Sequence, residues 1–360
     1  MRKSAFLLVV LSLFSLILSA VSIPLVRAAE DSWTTLEPMP TPGAWIGAAV
    51  VNGKIYAIGG NGGYGSSSVY EYNPITDTWT TKTSMPTPRI NFGTAVIENK
   101  IYIIGGDRGN YDVGITTTAI NEVYDPATDT WEVKTSMPTR RMAVSANVVD
   151  GKIYVIGGGE KSPITNLTPT AVNEIYDPET DKWTTLEPIP NPVNYHTSAV
   201  VDNKIYIMGG AVNVNLNQIY DVETDTWSSG APLPTGVDSG ATGVITETNA
   251  SKRIYVIGGK QGIEAVNLNQ VYDPETNTWT SGKPMPTARY GLGVAVINDT
   301  LYAIGGREGW ISWPISAANE KYTPAGYIPE FPSWTILPLL FVACLVGVIF
   351  RNKLRKNDLE

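Results

Sequence analysis

Three arginines carry the most specific chemistry in this 360-residue sequence. Arg89, Arg141 and Arg289 each stand 16 residues before a Gly-Gly pair, at the start of an apolar segment. A guanidinium is a planar fork that grips a carboxylate through paired hydrogen bonds. Three at one level predict an anion-gripping rim, with Gly43, Val193 and Val237 at the matching places elsewhere. Trp45, Tyr195, His196 and Tyr290 fall within three residues of that level and join the candidate ligand site. Segments after the Gly-Gly pairs add Asp107, Glu160 and Glu308, with the aromatics Tyr64, Tyr111, Trp310 and Trp313, which suit sugar or protein surfaces.

Other chemistries are excluded or poorly supplied. The chain has one histidine and one cysteine, Cys344, so a His- or Cys-based zinc site has too few ligands. Ser-His-Asp catalysis would need His196 as its only base. No catalytic residue, metal set or cofactor is therefore assigned. Net charge is −8; setting aside +3 from Arg2, Lys3 and Arg27 and a net +2 from the last ten residues leaves −13. Such a surface argues against nucleic acid, whose phosphates need lysine and arginine.

The elements that must position these residues repeat six times. Gly59-Gly60, Gly105-Gly106, Gly157-Gly158, Gly209-Gly210, Gly258-Gly259 and Gly305-Gly306 follow Trp33, Trp79, Trp131, Trp183, Trp227 and Trp279. Five of the gaps are 26 residues and the fifth is 31. Between these marks, apolar strands alternate with tight turns such as Glu98-Asn99-Lys100 and Asp125-Pro126-Ala127-Thr128-Asp129. Four short antiparallel strands make one propeller blade, and blades must stack around an axis to bury both faces. Trp33 has no inner strands before it, and Tyr322 has no Trp after it. A strand from Trp33 to Glu37 is thus expected to complete the blade built from residues 290–324, closing a six-bladed, all-β ring. The tryptophans and tyrosines of the pattern read as wedge packing between blades. The uniform Asp-Pro-x-Thr-Asp hairpins read as turn chemistry on one face; calcium binding is their alternative, without the clustered ligands of an EF-hand. The variable loops after Gly-Gly lie on the other face, where binding concentrates.

The pattern Ile153-Tyr154-Val155-Ile156-Gly157-Gly158, Tyr176-Asp177-Pro178 and Trp183 resembles the kelch repeat, over about residues 31–324. Departures are Tyr72-Asn73-Pro74, Tyr220-Asp221-Val222 and Tyr322-Thr323-Pro324. The resemblance implies a propeller and allows the arginines to bond loop carbonyls rather than a ligand. Kelch copper oxidases need two histidines and a thioether-linked cysteine, which this chain lacks outside its C-terminal segment. The kelch sialic acid mutarotases imply another reading: Arg89, Arg141 or Arg289 on a sugar carboxylate, with Glu160 or Glu308 as acid/base.

The two ends read as address and anchor. Residues 1–28 pair a basic start with an apolar run and Val26-Arg27-Ala28, as in a secretory signal; an uncleaved anchor is the alternative. Phe331 to Phe350 is 20 residues without a charge, reaching about 30 Å as a helix, and Arg351, Lys353, Arg355 and Lys356 follow. The expected division is a propeller over 29–327, a linker over 328–333, a transmembrane helix over 334–350 and a cytoplasmic tail over 351–360, with the propeller outside. Ile328-Pro329-Glu330-Phe331-Pro332-Ser333-Trp334 looks like the archaeal Pro-Glu-Phe sorting signals, which implies either sortase removal or simple anchoring. Asn166, Asn249 and Asn298 begin glycosylation sequons. The chain therefore reads as a surface module binding a protein or glycan; alternatives are an exported sugar-processing enzyme and a passive envelope component.

Overall fold

The computed structural model describes residues 31–324, apart from 62–64, 110–116, 163–164, 213, 247–251 and 310–313. The expected signal, sorting motif, membrane span and tail, the loop aromatics Tyr64, Tyr111, Trp310 and Trp313, and Asn249 lie outside the described residues. Among the described residues every regular element is a strand, and no helix is long and apolar enough to cross a membrane.

The strands form six four-stranded antiparallel sheets, with two short hairpins besides. Blade 2 shows the plan from axis to rim: Gly93–Ile97, Lys100–Ile104, Asn121–Asp125 and Thr130–Lys134. Its second strand is the continuous apolar run, and Ile101 to Ile104 are buried because blades cover both of its faces. The first and second strands meet in turns such as Asn52-Gly53, Glu98-Asn99 and Asn298-Asp299, with positive φ at both central residues. That is the type I′ geometry matched to strand twist. Ser32–Thr35 pairs with Asn319–Thr323 and sets Trp33 opposite Tyr322, as Trp131 lies opposite Tyr124 in blade 2. The ring thus closes as the sequence predicts, with the closing strand one to two residues earlier than expected.

The core is a set of wedges, each shared by two neighbouring blades. In each wedge a second-strand tyrosine meets a third-strand tyrosine of the next blade, from Tyr56–Tyr124 at 6.0 Å round to Tyr302–Tyr72 at 6.2 Å. At the rim, each repeat tryptophan donates its indole N–H at 2.8–3.1 Å to a carbonyl four residues past the tryptophan of the preceding blade. That same residue's N–H donates at 2.6–3.2 Å to Asp31, Asp77, Asp129, Asp181, Asp225 or Asn277. The same Oδ1 atom also accepts the hydroxyl of its own blade's tyrosine at 2.5–2.7 Å. These six residues all have φ between 50° and 55°. Asp and Asn are the non-glycine residues that tolerate this left-handed region, and they alone also supply the acceptor.

A second belt explains the glycines. The second glycine of each pair donates its N–H to the next blade, as Gly106 does to the Arg141 carbonyl at 2.9 Å. Gly105 has φ 67°, and a Cβ there would meet the Arg141 oxygen at 2.5 Å. Only glycine permits that approach.

The rim latch makes a specific prediction. Asp129→Ala removes the acceptor shared by Tyr124 and Thr83 and leaves alanine in a left-handed conformation. The expected loss is about 3 kcal/mol by denaturant unfolding. Asp129→Asn, which copies Asn277 of blade 5, should cost less than about 1 kcal/mol. Equal losses in the two variants would refute the latch.

Candidate functional site

The arginines do not rim the mouth of the channel, which corrects the expectation drawn from their spacing. Arg89, Arg141 and Arg289 are 0%, 1% and 0% exposed. Each guanidinium turns into its own blade and pairs at 2.6–2.7 Å with Glu122, Glu174 or Glu320. It also donates to the carbonyl of the first glycine of the pair, Gly105, Gly157 or Gly305. The partner carboxylate accepts a second bond from Thr87, Thr139 or Thr287. Burial pulls the pKa of all three guanidinium groups down, while the paired glutamate opposes the shift. They are spent on the fold and present no fork to a ligand.

The sequence holds a signal for this that spacing alone missed. Where the arginine is replaced by Val193 or Val237, the glutamate position becomes Gln218 or Gln270. Those amides bond the backbone of Asn191 and Thr235 instead. Charge appears only where its counter-charge does, as burial of an ion requires.

The mouth is built from the residue two places further along each strand approach. Trp45, Asn91, Ala143, Tyr195, Ser239 and Gly291 have φ between 53° and 61°. Each donates its backbone N–H to the carbonyl of its counterpart in the preceding blade, at 2.6–3.4 Å. The six bonds close a collar around the axis. Holding a non-glycine residue left-handed costs roughly 1–2 kcal/mol, and five of the six bear side chains. The Gly291 position serves its neighbour: a Cβ there would sit 3.0 Å from the Trp45 indole. Trp45 in turn packs edge-on against Tyr290 at 6.1 Å, with the Arg307 guanidinium 5.1 Å from its ring.

The expected neighbours therefore divide. Trp45, Tyr195 and His196 line the mouth together with Asn91, Phe92, Val144, Ser239 and Leu292. Tyr290 is buried just behind it, where burial raises its pKa and Arg307 opposes the shift. Asp107 is buried and accepts the Gly109 N–H at 3.0 Å. Glu160 pairs with Arg140 at 2.6 Å on the surface, and Glu308 is exposed. Neither carboxylate forms an ion pair with one of the three buried arginines, although Glu308 lies near enough to Arg289 to act on its charge. Asn166 falls in the hairpin strand Thr165–Pro169, and Asn298 is exposed in its turn. Among the described residues no cluster of His, Cys, Asp or Glu could hold a metal ion.

Below the collar the channel has two unlike walls. Ile46, Phe92, Leu292 and Val294 make an apolar side. Opposite, His196 Nε2 lies 2.9 Å from the Ser145 hydroxyl, Asn147 donates to Ser145, and Ser198 donates to Asn147 at 2.7 Å. The Ser145–His196 contact has the spacing of a nucleophile–base pair. Burial, aided by Arg141, pushes the His196 pKa down to about 3, however, so the imidazole is a weak base at neutral pH.

Two predictions follow from these burials. Arg141→Val strands the Glu174 charge and should cost about 3–5 kcal/mol. Adding Glu174→Gln, which copies blade 5, should recover most of that loss; a double variant no more stable than the single would overturn the pairing. His196 takes up a proton near pH 6.5 when unfolded but only near 3 when folded. The unfolded chain therefore binds the extra proton between these values, and stability falls as pH drops through that window. From pH 6.5 to 5 the wild type should lose about 1.5 kcal/mol more than His196→Gln. Identical pH dependence in the two proteins would show that the imidazole is not held neutral.

Comparison with known proteins places this architecture. A family model described as the KLHDC2/KLHL20/DRC7 Kelch-repeats domain matches residues 118–306, more than half of the chain. The kelch motif model matches residues 46–86 and 88–138. Kelch-like protein terF of Aspergillus terreus is 30% identical over 231 residues, covering 61% of this chain and 47% of that protein. Kelch-like protein 26 of Danio rerio is 31% identical over 187 residues, covering 51% and 30%. The chain thus spans less than half the length of these curated relatives. The solved structure of YjhT superposes with a TM-score of 0.67 at 17% identity, covering 80% of this chain and 97% of that one, which shows a shared fold. With six copies of the motif closed into one ring, the chain belongs to the kelch-repeat family.

Proposed function

We propose that this kelch propeller is a non-catalytic binding module, exported and held at the membrane, that engages a protein or glycan at the mouth of its channel. One observation carries the reading. At the collar the backbone repeats six times while the side chains do not: Trp45, Asn91, Ala143, Tyr195, Ser239 and Gly291 share one geometry and no chemistry. A rigid frame bearing varied side chains is how repeat scaffolds acquire ligands. The strain held in five of those residues supports it, because such conformations gather at binding sites. Membrane attachment rests on the uncharged run from Phe331 to Phe350 and the basic residues after it. The Pro-Glu-Phe segment supports transfer to a surface anchor, and the exposed Asn298 supports glycosylation outside the cell.

The mouth is tested by comparing full-length wild type with a Trp45→Gly/Tyr195→Gly double variant. Glycine removes both side chains while suiting the left-handed backbone. Partners captured from the producing cell's envelope, or on a glycan array, should be held about tenfold more weakly by the variant. A partner bound equally by both proteins would place recognition elsewhere.

A further inference from the structure

We infer that the occupant of the channel mouth is an uncharged, hydroxyl-rich unit: a neutral monosaccharide residue at the end of a glycan. This rests on the mouth being the binding site, and it specifies the chemistry of what enters.

Charge comes first. Among the described residues lining the mouth and upper channel, none bears a formal charge, since His196 is held neutral and the three arginines are paired inside their blades. The nearby Arg307, 3% exposed, packs against the Trp45 ring and is not among the lining residues, so an entering anion would lose hydration without touching a counter-charge, which costs several kcal/mol. A sialic acid carboxylate or an acidic peptide side chain is disfavoured for that reason.

The collar supplies the second constraint. Its six N–H groups are all consumed by its own six carbonyls. No donor remains there for main-chain pairing, the mode by which extended peptides add to a β structure. A ligand at the mouth must be held by side chains.

The third observation is the set of polar atoms left over. Trp45 Nε1, Thr94 Oγ1 and His196 Nδ1 are buried and have no hydrogen-bond partner among the described residues. His196 is 8% exposed and lines the channel wall. These atoms include an obligate donor, a hydroxyl, and a nitrogen whose role depends on tautomer. Trp45 lines the mouth, Thr94 the channel below it, and His196 both; a sugar hydroxyl donates and accepts at once, so it suits each of these atoms. The walls match as well, with Phe92 and Leu292 opposite the His196 side offering an apolar surface to the C–H face of a pyranose. The mouth is open to solvent and offers about 110 Å³, less than the roughly 300–1,000 Å³ of clefts that enclose drug-sized ligands, so it takes one small terminal unit rather than a longer chain.

The test titrates the full-length protein by isothermal calorimetry with methyl glycosides of glucose, galactose, mannose and N-acetylglucosamine, and with glucuronate and N-acetylneuraminate. At least one neutral glycoside should bind, and both anions should bind at least about tenfold more weakly. Trp45→Gly and Asn91→Gly should each weaken the neutral glycoside about tenfold while melting no lower than wild type. Anions binding as well as neutral sugars, affinities unchanged in both variants, or no binding of any neutral glycoside would each overturn the assignment. If the glycosides fail while an envelope partner is still lost in the Trp45→Gly/Tyr195→Gly variant, only the sugar assignment falls. If both fail, the mouth is not the binding site.

Discussion

The indole of Trp33 donates a hydrogen bond to the carbonyl of Lys283, 250 residues away, and it is one of six such bonds that join each blade to the next. A single blade offers an indole N–H, a backbone N–H just past its outer strand and an apolar face, none satisfied within its own sheet. The neighbouring blade completes all three. The last blade has no outer strand until Ser32–Thr35 joins residues 319–323, so closure completes that blade and ties it to the start of the chain. Rim latch, glycine belt and axial collar each run through the closing joint without interruption.

Blade number, strand order and the closing strand were legible in the sequence because each depends on residues that recur at a fixed interval. Tryptophan, tyrosine and paired glycines are large or permissive enough that no other residue replaces them. The arginines misled because a recurring position says that a residue matters without saying where it points. Arg89 and Asn91 are two apart, yet one turns into the blade and the other meets the axis. The glutamates that neutralise the arginines lie 31 to 33 residues later, and their replacement by Gln218 and Gln270 beside Val193 and Val237 was the readable clue.

The collar was not legible, and the physical reason is instructive. Its left-handed backbone is imposed by neighbours around the ring, not by local preference. Of its six residues only Asn91 and Gly291 favour that conformation alone. Trp45, Ala143, Tyr195 and Ser239 adopt it because the bonds on either side require it. Local preference is lost at four of the six positions where the side chains vary. That coincidence separates the scaffold from the proposed site.

The collar has an electrical consequence of its own. The N–H and the C=O of each collar residue belong to two different peptide groups, and each finds its partner in a neighbouring blade, so none of these twelve polar groups is left unpaired at the aperture. A helix terminus concentrates the same peptide dipoles into a partial charge facing outward. Here the same kinds of group are paired with one another and leave an electrostatically quiet aperture, in a protein whose chain as a whole carries −8.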